Sequence, residues 1–224
     1  MYKAKNYILL FSPLFLIGQT SLDNQYREDQ FYFSATYNLL NNKPNDIAQR
    51  GFSTGFHLGF IRDFPINKKR TWALGLGLGL SSNSYNNNML ISETINGFQY
   101  NTIDETTDSF TKNKFTTYLV EVPFEIRWRS SDAESFKFWR IYSGFKLGYL
   151  LHGTSKFRGS LGDIDTSNPN FERLQYGLTL SVGYSTFNLH LYYGLNPIFD
   201  NMATLNNEPL DLSTIKIGLI TYIL

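Results

Sequence analysis

The chain has 224 residues, and its 20 Lys and Arg against 19 Asp and Glu leave a formal net charge of only +1. No basic excess is present to neutralise phosphates, which excludes a nucleic-acid binder. Cysteine is absent, which excludes a disulfide framework, a thiol nucleophile, a Cys-rich zinc site and a lipoprotein anchor.

Taken in chain order, the first element reads as a signal peptide over residues 1–20. Lys3 and Lys5 give a positive start, Tyr7 to Ile17 an apolar core, and Gly18, Gln19, Thr20 and Ser21 a small and polar exit with cleavage near 18–20. The apolar run is about half the ~20 residues that a spanning helix needs. A short periplasmic segment, residues 21–29, is expected to follow, and residues 30–224 read as one domain. Aromatic residues make up 17 % of the chain, which favours β structure because flat rings fit a pleated surface.

From residue 30 onward, apolar residues alternate with small or polar ones, the pattern of strands with one apolar face. The first strand runs from Gln30 to Leu40, with Phe31, Phe33, Ala35, Tyr37 and Leu39 on one side. The second covers Gly51 to Asp63 and sets Phe52, Phe56, Leu58 and Phe60 against Ser53, Gly55, His57 and Gly59. The third, Trp72 to Ser81, opposes Trp72, Leu74, Leu76, Leu78 and Leu80 to Ala73 and three glycines. A soluble sandwich has no use for a glycine face, whereas a narrow barrel needs small residues inside and apolar ones outside.

The fourth strand spans Phe115 to Trp128, outward at Tyr118, Val120, Val122, Phe124, Ile126 and Trp128 and inward at Glu121, Glu125 and Arg127. The fifth, Phe138 to His152, is outward at Trp139, Ile141, Phe145, Leu147, Tyr149 and Leu151. Its inward set is Arg140, Tyr142, Gly144, Lys146 and Gly148. The sixth is Leu174 to Tyr184, the seventh Phe187 to Leu195, and the eighth closes the chain from Ile215 to Ile223. The predicted fold class is therefore all-β: an eight-stranded antiparallel transmembrane β-barrel.

The connections divide by length. Asn41–Arg50, Asn83–Lys114, Gly153–Arg173 and Asn196–Ser213 are long and polar, while Phe64–Thr71, Arg129–Lys137 and Ser185–Thr186 are short. Long extracellular loops over short periplasmic turns characterise bacterial outer-membrane barrels. Trp72, Trp128, Trp139, Tyr184 and Tyr149 are placed to form interfacial girdles. A mean hydropathy of −0.26 fits strands of which half the residues face a polar interior.

Eight strands enclose no useful channel, so the inward charges read first as packing. If Trp128 faces Trp139, Glu121 comes opposite Lys146 and Glu125 lies diagonal to Arg140. A register shifted by two puts Glu125 opposite Arg140. With Arg127, Lys216, His57 and His190 they make a candidate paired network, since unpaired buried charge is costly. Catalysis would need His with Asp or Ser at the extracellular rim, where only His152 stands near Ser155, Asp163 and Asp165. Three histidines without HExxH spacing argue against a metal site. No catalytic, cofactor-binding or metal-ligating residue is assigned, no cofactor or small-molecule substrate is expected, and outer-membrane lipid is the expected surrounding.

The segments Asn38–Pro44, Arg50–Asn67, Ala73–Glu93 and Val120–Arg129 resemble the PorT family, as do Phe138–Leu150, Leu174–Tyr184, Asn188–Asp200 and Lys216–Leu224. These are small "porin family" barrels of bacteria with a type IX secretion system. The resemblance implies a non-enzymatic accessory role in exporting sorting-domain cargo, including adhesins and gliding-motility proteins, with other export components as partners. One departure is the ending Tyr222-Ile223-Leu224, where many such barrels end in Phe. The alternative is a free-standing structural or adhesive barrel whose loops bind an external ligand.

Overall fold

The computed structural model describes residues 29–130, 138–167 and 169–223, so the predicted signal peptide and most of the segment after it lie outside the described residues. Eight long strands form the wall: β1 (Gln30–Asn41), β2 (Thr54–Pro65), β3 (Trp72–Asn86), β6 (Phe110–Arg129), β7 (Trp139–Gly159), β9 (Leu174–Tyr184), β10 (Phe187–Gly194) and β13 (Ser213–Ile223). Each pairs antiparallel with the next wall strand in sequence, and β13 pairs with β1. The sheet is closed, so its wall has no exposed edge.

The two faces follow the period of two. Tyr32, Ser34, Thr36 and Asn38 of β1 are buried in the lumen, while Phe31 and Phe33 are exposed on the outer wall. Large apolar side chains cover that outer wall on every strand. On β6 the outward row runs from Tyr118 to Trp128. Ten steps of ~3.3 Å, on a strand tilted by ~40°, rise about 25 Å, the height of the apolar band of a transmembrane barrel. Trp72 pairs with Trp128, and Trp139 with Tyr184, forming one girdle; Tyr118 and Tyr149 stand near the other.

The predicted glycine face lies inside and has a steric reason. A Cβ on Gly79 would come within 2.1 Å of the Tyr32 hydroxyl and 2.6 Å of the Leu58 carbonyl oxygen. The inward Tyr32 ring occupies the space that a side chain on β3 would need.

The β6–β7 register differs from both alternatives expected. Trp128 lies opposite Ile141, so Glu121 faces Gly148, Glu125 faces Gly144 and Arg129 faces Arg140. Both neighbours fix this stagger, β3 by holding Trp128 against Trp72 and β9 by holding Trp139 against Tyr184. An irregularity follows where Tyr118 pairs with His152 but Leu119 with Leu150. That extra residue on β7 re-aims its side chains, so Gly153, Ser155 and Phe157 become the inward set.

The Phe64–Thr71 and Ser185–Thr186 turns agree with expectation, while residues 131–137 of the third short connection lie outside the described residues; the long connections are folded rather than open. The Asn83–Lys114 connection contains the end of β3, a hairpin of β4 (Met89–Thr94) and β5 (Gly97–Thr102), and the start of β6. Strand β7 continues past the wall and turns back as β8 (Gly162–Ser167). A third hairpin pairs β11 (Thr204–Leu205) with β12 (Glu208–Pro209) through Asn206 and Asn207, whose φ values of 53° and 66° suit a tight hairpin turn.

Candidate functional site

Side chains fill the lumen in successive layers. At the end of the short turns, Arg127 and Arg129 grip the two oxygens of Asp63, and all three side chains are fully buried. Arg127 also donates to the side-chain amide oxygen Oε1 of Gln30, lies 3.6 Å from Glu125 and stacks 4.1 Å over the Tyr142 ring. Tyr142 meets Tyr222 edge-on at 5.3 Å. Arg129 Nε donates to the Arg70 carbonyl at 3.1 Å, tying the layer to the β2–β3 turn. Arg140 donates to the Ser185 carbonyl instead of meeting Glu125.

The middle layer is centred on Glu121. His57 Nδ1 stands 3.1 Å from both carboxylate oxygens and Lys146 Nζ 3.0 Å from one of them. The expected Glu121–Lys146 pair is therefore made, but diagonally across the strands. Lys216 Nζ sits 4.7 Å over the Tyr192 ring, and His190 meets the Ser181 hydroxyl at 2.8 Å. Above this the lumen becomes neutral, with Tyr85 donating to Thr214 at 2.9 Å and Thr36 to Asn38 at 2.8 Å.

The top layer is apolar and comes from the connections. Ile47, Met89, Ile91, Tyr100, Ile198, Phe199, Ala203, Leu205, Leu210 and Leu212 form one buried cluster with Tyr85, Phe115 and Phe171 from the barrel mouth. Phe171 stacks on Phe199 with centroids 4.8 Å apart, and Phe115 meets Phe199 at 5.2 Å. The asparagines around this cluster satisfy its backbone. Asn113 donates to the carbonyls of Asn87 and Met89 at 2.9 and 3.0 Å, and Asn88 accepts from the Ala48 N–H at 2.8 Å. Residues that read as solvated loop polarity thus brace a cap over the barrel.

The rim residues weighed for catalysis are not brought together. His152 points outward against Tyr118, with rings 6.2 Å apart, whereas Ser155 faces inward and is buried. Asp165 accepts two hydrogen bonds from Arg158 at 2.8 Å, and Asp163 lies 3.3 Å from the same guanidinium. The Arg158 bond holds the Asp165 carboxyl below its ordinary pKa. Asp104 is lowered by the Thr106 hydroxyl and N–H. Among the described residues no three His, Cys, Asp or Glu converge as a metal site.

The cap is what sequence reasoning missed. The signals were small: Asn96-Gly97 is a hairpin-turn dipeptide, and Met89-Leu90-Ile91 is an apolar run inside a polar stretch. A search among curated proteins returns no match. A family model described as "Outer membrane protein beta-barrel domain" matches residues 18–200. With a closed wall, an apolar belt of membrane height and long connections gathered at one end, this chain belongs to the outer membrane protein β-barrel domain family.

Proposed function

We propose that the protein is a non-enzymatic accessory of type IX protein export in the outer membrane, acting through its outer surfaces rather than as a conduit. The observation that carries this reading is the filled lumen: a charged layer at Asp63, a second at Glu121, and an apolar cap centred on Phe199. A barrel packed in this way offers cargo no passage, which leaves the cap and rim for contact with other components. The resemblance of the strands to the PorT family supplies the export system. Delivery through a signal peptide cleaved near residues 18–20 belongs to the same proposal, and N-terminal sequencing of the mature protein tests it.

The test of the export role is to delete the gene and compare the secreted proteome with wild-type and complemented strains. Loss of sorting-domain cargo from the medium, with its accumulation in the periplasm, is expected. Normal export without the protein would refute the role. One observation favours the alternative of an adhesive barrel: Ile95, Leu161 and Met202, all in turns of the long connections, are exposed, with Ile95 completely so. On that reading export stays normal and adhesion falls when the three residues are made polar.

A further inference from the structure

The outer faces of β6 and β7 carry like charges directly opposite one another above the apolar belt. Lys114 pairs in register with Lys156, and Lys112 with Arg158. Opposed like charges destabilise a strand pair, so their retention calls for a counter-ion. The nearby carboxylates supply only part of it. Asp165 lies opposite Lys156 and interacts with both Lys156 and Lys112, but its hydrogen bonds go to Arg158, which also holds Asp163, so these two carboxylates stand against the four cations Lys112, Lys114, Lys156 and Arg158. Glu105 is paired with Arg50. Among the described residues Lys112, Lys114 and Lys156 make no ion pair.

The position identifies the missing anion. These residues continue the outward row that contains Tyr118, and Lys114 lies four residues beyond it. At ~3.3 Å per residue and ~40° of tilt, that is about 10 Å above the aromatic girdle, at the depth of headgroups. Beside Lys112 and Lys114 is a recess of about 350 Å³ that also reaches Arg50, Asn86, Phe52 and Phe110. Phe52 is 74 % exposed at its rim. A phosphate on the lysines with an apolar or sugar flank on Phe52 fits this mixture.

We propose that Lys112, Lys114 and Lys156 form a site for the phosphate groups of an outer-leaflet glycolipid. The site is independent of the export role, since a barrel of any function would use it at its lipid boundary.

The full mature chain, folded in detergent, is titrated with a phosphorylated glycolipid of the lipid A class while its unfolding midpoint is followed by gel heat-shift. Parallel titrations use the same glycolipid after dephosphorylation, inorganic phosphate, and poly-glutamate. The phosphorylated glycolipid is expected to raise the midpoint, and the other three to leave it unchanged. Each lysine near an anionic surface counts for about fivefold, so Lys112→Gln, Lys114→Gln and Lys156→Gln together weaken binding about a hundredfold. The triple variant also unfolds at a higher temperature than wild type without lipid, because the opposed charges are gone. Equal responses from wild type and variant, or from phosphorylated and dephosphorylated lipid, overturn the site. A matching response to inorganic phosphate makes it a free-anion site, and one to poly-glutamate makes it a surface for an acidic protein; either result overturns the lipid assignment.

Discussion

Asp63→Asn removes the carboxylate on which two buried guanidiniums converge. Arg127 reaches one oxygen and Arg129 the other, and neither arginine is exposed to solvent. Asparagine is nearly isosteric but has one oxygen and one NH2, so one arginine must face a donor with a donor. Breaking a buried ion pair by removing one partner costs about 3–5 kcal/mol. Glu125 at 3.6 Å and the Tyr142 ring at 4.1 Å still shelter Arg127, which places the loss near about 3 kcal/mol, or roughly a hundredfold in the folding equilibrium. Urea titration of the barrel in lipid vesicles, read by gel heat-shift, measures it. The double variant Asp63→Asn/Arg129→Met restores the charge balance and should regain more than half of the loss. If Asp63→Asn lies within about 0.5 kcal/mol of wild type, the charged layer is not what holds the lumen together.

Phe199→Ala opens the centre of the cap and should cost about 3–5 kcal/mol locally; limited proteolysis should then cut the long connections while the wall still shifts on gels. The purified protein should give no ion-conducting steps in planar bilayers, and excision of the β4–β5 hairpin should not create them, because the Glu121 and Asp63 layers remain below. Steady single-channel currents from wild type would contradict a filled lumen. The Asp165 carboxyl should titrate below its usual range by NMR, and Arg158→Gln should return it most of the way, with Lys156 and Lys112 holding the remainder. A pKa lowered in the folded state means that this bond stabilises at neutral pH and that its contribution is lost as pH falls through the lowered value.

The wall was legible because its code is local. From Trp72 to Ser81 each residue declares its face by size alone, and the structure follows it, down to the Tyr32 ring that fills the glycine gap. Register was not legible, because it depends on three strands at once. Trp128 finds its girdle partner in Trp72 on one side, and this leaves it opposite Ile141, not Trp139, on the other. The cap was hidden for a different reason. Ile47, Met89, Phe199 and Leu212 come from three separate connections, each in a run of at most three apolar residues within a polar stretch, and only their convergence makes a core. Asn87, Asn88 and Asn113 contribute to the polar composition of the Asn83–Lys114 connection, yet their amides mostly bond to the cap's own backbone.

A folded cap changes what the long connections can do. An open polar loop would lose conformational entropy on meeting a partner, roughly 1–2 kcal/mol for each backbone residue it ordered. Here that cost is already met within the chain by the apolar cluster under the hairpins, and the Phe115–Phe171–Phe199 stack anchors it to the barrel mouth. The outward surface is therefore preorganised, and a partner binding there need not order it first. The same cluster sits on a lumen filled by hydrogen-bonded and charged layers, so a movement of the cap alone would uncover polar side chains and not a pore. That combination favours recognition over conduction, and in the proposed role a partner would meet the preorganised hairpin turns and the rim rather than the lumen.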